Sequence, residues 1–470
     1  MTARILIFLL IFLKFSFAEK KPNVLFIISD DLCATALSSY GNKVCQTPNI
    51  DKLADQGTLF TRAYCQATYC GPSRASFMTG YYPSATKVLG YVSGRNAIGD
   101  RAMWAQHFKN NGYHTARVSK IFHMGVPIGI EKGTDGSDDA PCWTEKYNSQ
   151  GPEWRAKGTG ETLEGNPDGK KPVVGGNTFV VVEADGDDLV HSDGRSAQKA
   201  CELLEKFKDL DKPFFLGVGF VRPHVPFVAP KSYYEPYEYD KMLLPEKVKG
   251  DWDDIPAMGI NYKTSENMKM DLRRQRKAVG AYYASVAYMD AMVGKVLTKL
   301  KETGLDKNTI VIFTSDHGYH LGEHDFWAKV SLMEESVKVP LIISAPGKNK
   351  AVSNSFVELI DLYPTLSKMC GLEVPSRIQG LDISPILDKA EVSVKDSILC
   401  ANGKGFLYRD DKWAYIEYRK GAQLYDMKND PLQYKNLIDH PEYKSIVESY
   451  KKKLADRLAE TRKNDLGLKY

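Results

Sequence analysis

The feature that most constrains the fold is a series of short, β-branched runs separated by stretches of helical periodicity. "NVLFIIS" (23–29), "YHTARVS" (113–119), "PFFLGVGF" (213–220), "TIVIFTS" (309–315) and "VPLIIS" (339–344) read as buried strands. Between them, "TPNIDKLADQG" offers Thr47 as an N-cap with Pro48 at the first helical position. Residues 192–209 and about 270–303 have amphipathic helical patterns. Strands alternating with helices predict an α/β sandwich around a large, mostly parallel sheet. Sheets of this kind bind ligands beyond the carboxyl ends of their strands. The residues just past each strand are therefore the candidate site.

The chain of 470 residues is long enough for two structural units. It opens on "MTARILIFLLIFLKFSFA", an early arginine, an apolar run and a small-residue end. This is a signal-peptide pattern with cleavage expected after Ala18, and Lys14 interrupts a run too short to span a bilayer. No later stretch has the length and apolarity of a membrane span, so an exported protein is expected. Its destination would be a periplasm or the exterior in a bacterium, or a lysosome or the exterior in a eukaryote. Losing Arg4 and Lys14 would lower the net charge from +4 to +2, and nothing in that balance favours nucleic acid. Residues 130–190 are rich in Gly, Asp, Lys and Pro, which fits either a surface excursion or a loop shaping a pocket. After "QGLDISPIL" the pattern changes to shorter strands, turns and a final charged helix near 440–463. The expected organisation is a leader (1–18), a catalytic unit (19–388) and a smaller C-terminal α+β unit (389–470).

The strand ends carry unusual chemistry. "ISDDL" places Asp30 and Asp31 together, and "TSDHG" does the same for Asp316 and His317. Adjacent carboxylates repel unless a cation compensates them. Three carboxylates and an imidazole at one sheet edge suit a hard divalent ion such as Ca²⁺ or Mg²⁺ better than a closed zinc site. "SKIFHMG" adds Lys120 and His123, "RPHVPF" adds His224, and "GEHDFWAK" adds Lys329. With Arg74, these make a pocket for a small tetrahedral oxyanion. Cys70, in "YCGPSRASFMTG", is harder to read from the residues alone. A buried thiol, half of a disulfide, a nucleophile or the precursor of something else are all open. The eight cysteines lie after the leader, and their scattered spacing does not reveal any pairing.

The stretch "CGPSR…TG" (Cys70, Pro72, Ser73, Arg74, Thr79, Gly80) resembles the C-x-P-S-R signature of the type I sulfatases. "NVLFIISDDL", "GYHTARVSKIFH", "RPHVPF", "FTSDHGYHLGEHDFWAK" and "LIDLYPTLSKMCGL" resemble the same family in order. "SKIFHMG", "RPHVPF" and "LGEHDFWAK" are most similar to its iduronate-2-sulfatase branch. Thr68 and Tyr69 are bulkier than the residues common before the family's cysteine. The resemblance implies an alkaline-phosphatase-like α/β fold and hydrolysis of sulfate esters of a sulfated oligosaccharide or polysaccharide. The sugar it implies is a 2-O-sulfated iduronate or uronate of a glycosaminoglycan, or of an algal polysaccharide such as ulvan. It further implies that a formylglycine-generating enzyme oxidises Cys70 to Cα-formylglycine, whose hydrate is the nucleophile. One Ca²⁺ would be bound by Asp30, Asp31, Asp316, His317 and the modified Cys70. Arg74 would hold the formylglycine with Lys120 and His123, while His224 and Lys329 would contact the sulfate. Two other readings share this sequence. One is a phosphatase or phosphonate hydrolase of the same superfamily, with His320 and His324 as added metal ligands. The other is a non-catalytic glycan-binding relative.

Overall fold

A computed structural model describes residues 20–165 and 178–470. The expected leader lies outside the described residues, as do residues 166–177 within the Gly- and Asp-rich stretch. All five runs read as strands are strands of one nine-stranded sheet. Across that sheet the order is 351–353, 58–64, 338–344, 309–315, 23–30, 214–223, 114–119 and 145–147, with Val357–Glu358 also pairing against 58–64. The five strands from 309–315 to 145–147 run parallel. The 338–344 strand is antiparallel to both of its neighbours. Sequence reasoning missed Thr58–Tyr64, where Thr61 and Arg62 interrupt the apolar run.

The central strand Asn23–Asp30 is buried along its whole length. Successive side chains point to opposite faces, so one strand feeds two cores. Val24, Phe26 and Ile28 join one apolar cluster with Phe77, Trp104, Phe108 and Leu366. Leu25 and Ile27 join the other with Ile50, Leu203, Leu204 and Val293. Helices Cys70–Thr79, Trp104–Asn110 and Leu362–Met369 thus cover one face. Pro48–Ala54, Ser192–Phe207 and Leu272–Glu302 cover the other. Sheets covered on both faces need near-continuous apolar strands, which is why the runs were legible. Thr47 does occupy an N-cap position, but its hydroxyl bonds Ser38. The Asp290 carboxylate accepts from the Asn49 and Ile50 N–H groups instead.

Part of the polar stretch 130–190 is built into sheet structure. Glu145–Tyr147 extends the main sheet, and Gly158–Thr162 and Val180–Ala184 form a three-stranded sheet with Phe227–Pro230. Beyond the main body, strands Ser397–Ala401, Gly405–Asp410, Trp413–Tyr418 and Ala422–Asp426 make an antiparallel meander. Helix Lys444–Arg462 packs on it through Tyr450 and Leu454. Among the described residues no helix is long and apolar enough to cross a membrane.

A buried ion network joins this meander to the sheet. Lys395 Nζ lies 2.7 Å from both Glu358 and Asp361, and Glu358 also accepts from the Tyr82 hydroxyl at 2.6 Å. Removing one partner of a buried ion pair leaves uncompensated charge. Lys395→Met should therefore lower stability by about 3–5 kcal/mol, read from denaturant unfolding. An unchanged midpoint would show that the network contributes little.

Candidate active site

In-register parallel strands carry residues distant in sequence to one edge. Ser29 pairs with Ser315, Asp30 with Pro223, and Ser119 with Gly219. The residues that follow (Asp31, Asp316, His317, His224 and Lys120) therefore emerge side by side. The backbone bends sharply here, with Asp31 at φ 63° and Ser119 at φ 58°. Non-glycine residues in this left-handed region are strained and concentrate at functional sites. Gly219 is required by a close approach, because a Cβ there would run into the Lys120 backbone. Gly318 similarly lies against the carbonyls of Glu335 and Lys338.

Helix Cys70–Thr79 is buried at every residue and begins at Cys70, over this edge. Cys70 and Arg74 are four residues apart and so share a helix face. Arg74 Nε lies 2.9 Å from Asp316 Oδ2, and Nη2 lies 3.2 Å from Asp30 Oδ1. Its Nη1 donates to the carbonyls of Lys120 at 2.6 Å and Ile121 at 2.9 Å. Lys120 pairs with Asp30 on the other side. Lys329 Nζ donates to both oxygens of Asp31, at 2.6 and 2.8 Å, and to Cys70 Sγ at 3.4 Å. Three buried carboxylates thus face three buried cations around one thiol.

Two histidines have tautomers set by carbonyls. His317 Nδ1 lies 2.8 Å from the Gly318 carbonyl, which can only accept, so Nδ1 carries the proton. The Nε2 lone pair then faces Cys70 Sγ at 3.3 Å and Asp31 Oδ1 at 3.2 Å. His224 Nδ1 likewise donates to the Val225 carbonyl at 2.6 Å, which leaves Nε2 toward Asp31 Oδ2 at 3.7 Å. His123 stacks under the Tyr91 ring, with centroids 4.3 Å apart, and its Nδ1 has no hydrogen-bond partner among the described residues.

Burial and charge set the protonation of these groups. Burial alone would raise Asp30, but Lys120, His224 and Arg74 together hold it well below the usual carboxylate range. At Asp31 burial prevails over Lys329 and His317, and pushes the group up. Burial, reinforced by Asp30, pushes the Cys70 thiol far above its ordinary value. Burial opposes the charge on Lys329, yet Asp31, Cys70 and Asp30 keep it firmly protonated. Burial and the nearby lysines push His224 well below the usual imidazole range, and His123 down to about 3.

The donor atoms of Asp30, Asp31, Cys70 and His224 lie within 4.8 Å of one another, as do those of Asp30, Cys70, Asp316 and His317. Carboxylate oxygens and an imidazole lone pair converging on one point match the donor chemistry of a hard divalent ion. His320 and His324 do not join them. His320 bonds Ser331 at 2.7 Å, and His324 bonds Asp251 at 3.0 Å. Each bonds a residue outside the cluster, against their reading as added ligands. All eight cysteines are free thiols.

Several supporting residues carried no local sequence signal. The Tyr282 hydroxyl donates to the Asp31 carbonyl at 2.7 Å and accepts from Cys33 N–H at 2.9 Å, holding the Asp31 turn. Ser315 Oγ accepts from Leu32 N–H at 3.0 Å. Behind His224, Asp193 accepts the N–H groups of Val221 and Arg222 at 2.8 Å each, and Arg222 pairs with Glu153 at 2.7 Å.

Known proteins share this fold and are similar in sequence over most of the chain. The family model described as Sulfatase matches residues 22–372. A second, described as N-sulphoglucosamine sulphohydrolase, C-terminal, matches residues 322–460. A sulfatase of Formosa agariphila is 33% identical over 453 residues, covering 92% of this chain and 86% of that protein. Iduronate 2-sulfatase of Homo sapiens is 35% identical over 408 residues, covering 76% and 70%. A phosphonate monoester hydrolase of Silicibacter pomeroyi superposes with a TM-score of 0.78 over 94% of this chain and 96% of that one. At 19% identity, that likeness establishes the fold alone. The chain belongs to the sulfatase family, and its chemistry is the hydrolysis of sulfuric esters.

Proposed function

We propose that this enzyme removes sulfate from a sulfated glycan, most simply the 2-O-sulfate of an iduronate or related uronate, using Cα-formylglycine made from Cys70 and one Ca²⁺. The observation that carries this reading is the setting of Cys70. It is a buried thiol held in its neutral form, with Lys329 at 3.4 Å and His317 at 3.3 Å. A thiol kept protonated is a poor nucleophile, so this setting favours a residue that is chemically converted. The similarity to iduronate 2-sulfatase supports the choice of sugar.

Asp30, Asp31, Asp316 and His317, with the modified residue 70, would hold the calcium. When bound, the ion offsets the negative charge of the sulfate oxygens, and the hydrated aldehyde at position 70 offers a hydroxyl for attack and a second for release. The remaining work falls to the chain's own side chains. Arg74 clamps the Cys70 helix to Asp30 and Asp316, which fixes the attacking residue against the sheet edge. Lys329 and Lys120 bring preorganised positive charge to an anionic ester that would otherwise repel a nucleophile. The proton required by the departing alcohol comes from Lys329, which Asp31 and Cys70 keep protonated, or from His224 once its Nε2, a bare lone pair in the resting site, has taken up a proton. His123, neutral across the working pH range, is the base that assists sulfate release.

Coexpression with a formylglycine-generating enzyme, followed by assays on heparan, dermatan and ulvan oligosaccharides, tests the reading. Sulfate release from a 2-O-sulfated uronate is expected, with aryl phosphate turned over far more slowly than aryl sulfate. Phosphate turnover equal to that of sulfate would favour a phosphatase instead. His224→Ala should lower kcat by about 10²–10⁴-fold and flatten one limb of the pH–rate profile. A profile of unchanged shape would remove His224 from proton transfer.

A further inference from the structure

The charged pocket around Cys70 accounts for the sulfate and leaves the sugar without a surface. Two tyrosines at its mouth remain unexplained. Tyr91 lies flat against His123, with 27° between the rings, and meets the edge of Tyr69, the residue before Cys70, at 6.3 Å. The segment carrying it is pressed onto the start of the Cys70 helix. A Cβ at Gly71 would stand 2.9 Å from the Gly90 carbonyl and 3.0 Å from the Tyr91 ring. Despite this packing, Tyr91 is 51% exposed. Tyr262, 48% exposed, is held near Lys329 by its neighbour. The Asn261 amide donates to the carbonyls of Lys329 at 3.0 Å and Trp327 at 3.3 Å, while Asn267 donates to the Tyr262 carbonyl at 3.1 Å. Tyr91, packed on the residue before Cys70, and Tyr262, next to the Asn261 that holds the Lys329 backbone, thus flank the 3.4 Å contact between Lys329 Nζ and Cys70 Sγ.

We propose that Tyr91 and Tyr262 form an aromatic platform that binds the pyranose ring bearing the sulfate. This inference rests on the glycan-sulfatase reading and names its sugar-binding surface. A pyranose presents an apolar C–H face with hydroxyls around its rim. A half-exposed tyrosine offers the match, an apolar ring face with a polar tip. The His123 ring fixes Tyr91 from below, so stacking a sugar on it orders little that is mobile. The platform selects the ring, and the lysines of the charged pocket receive the sulfate.

The test compares Tyr91→Ala, Tyr262→Ala and the two matching Phe variants in the matured enzyme. KM and kcat are measured on a 2-O-sulfated uronate disaccharide, alongside the inhibition constant of inorganic sulfate. Each Ala variant should raise the disaccharide KM about tenfold, and the Phe variants should restore most of it. The sulfate inhibition constant should stay within about twofold of wild type, since the anion pocket is untouched. Native turnover of the disaccharide with KM unchanged in both Ala variants would overturn the platform alone. A sulfate inhibition constant that rises in step with KM would also overturn it, by showing a structural role. A wild-type enzyme inert toward every sulfated sugar would overturn the glycan reading, and the platform with it.

Discussion

The contact on which the rest of the site depends is the double grip of Arg74 on Asp30 and Asp316. These carboxylates end two adjacent parallel strands, and the guanidinium comes from a helix on one face of the sheet. Buried ion pairs are costly unless every group finds a partner. Here the two Nη1 N–H groups reach the Lys120 and Ile121 carbonyls. Lys120 completes Asp30, and Lys329 completes Asp31. A satisfied network of this kind is rigid, and rigidity is what a site needs if its charges are to be in place before the substrate arrives.

The charge balance bears on what the site accepts. Three carboxylates and three cations leave the side chains near neutrality, so a divalent cation and a doubly charged sulfate product can be added together at little electrostatic cost. The neutral thiol at Cys70 fits the same logic. A thiolate there would add a negative charge beside Asp30 and Asp31, and burial prevents it. Attack on an anionic ester therefore asks for a different group at position 70, one that need not carry charge in the resting site.

Much of this was legible in the sequence because parallel sheets concentrate function at strand ends. The doublets Asp30–Asp31 and Asp316–His317 stood directly after apolar runs, and strand register did the rest. What escaped was of two kinds. The Thr58–Tyr64 strand carries Thr61 and Arg62 in its middle, so its buried face did not show as a run. Other features depend on contacts between remote segments. Asp290, 241 residues from Asn49, replaces Thr47 as the helix cap. Arg222 meets Glu153 across 69 residues to brace the His224 turn. His320 and His324 show the converse, since their spacing fits metal ligation but their neighbours in space are Ser331 and Asp251. Residue type and spacing identify which side chains are capable of a chemistry, and the fold decides which of them meet.

The most direct test of the account is the mass of the peptide that carries residue 70, taken from enzyme whose sulfatase activity has been measured in the same preparation. Active enzyme should show the mass of the aldehyde, and inactive enzyme made without the converting enzyme the mass of the cysteine. An unmodified thiol at position 70 in fully active enzyme would contradict it.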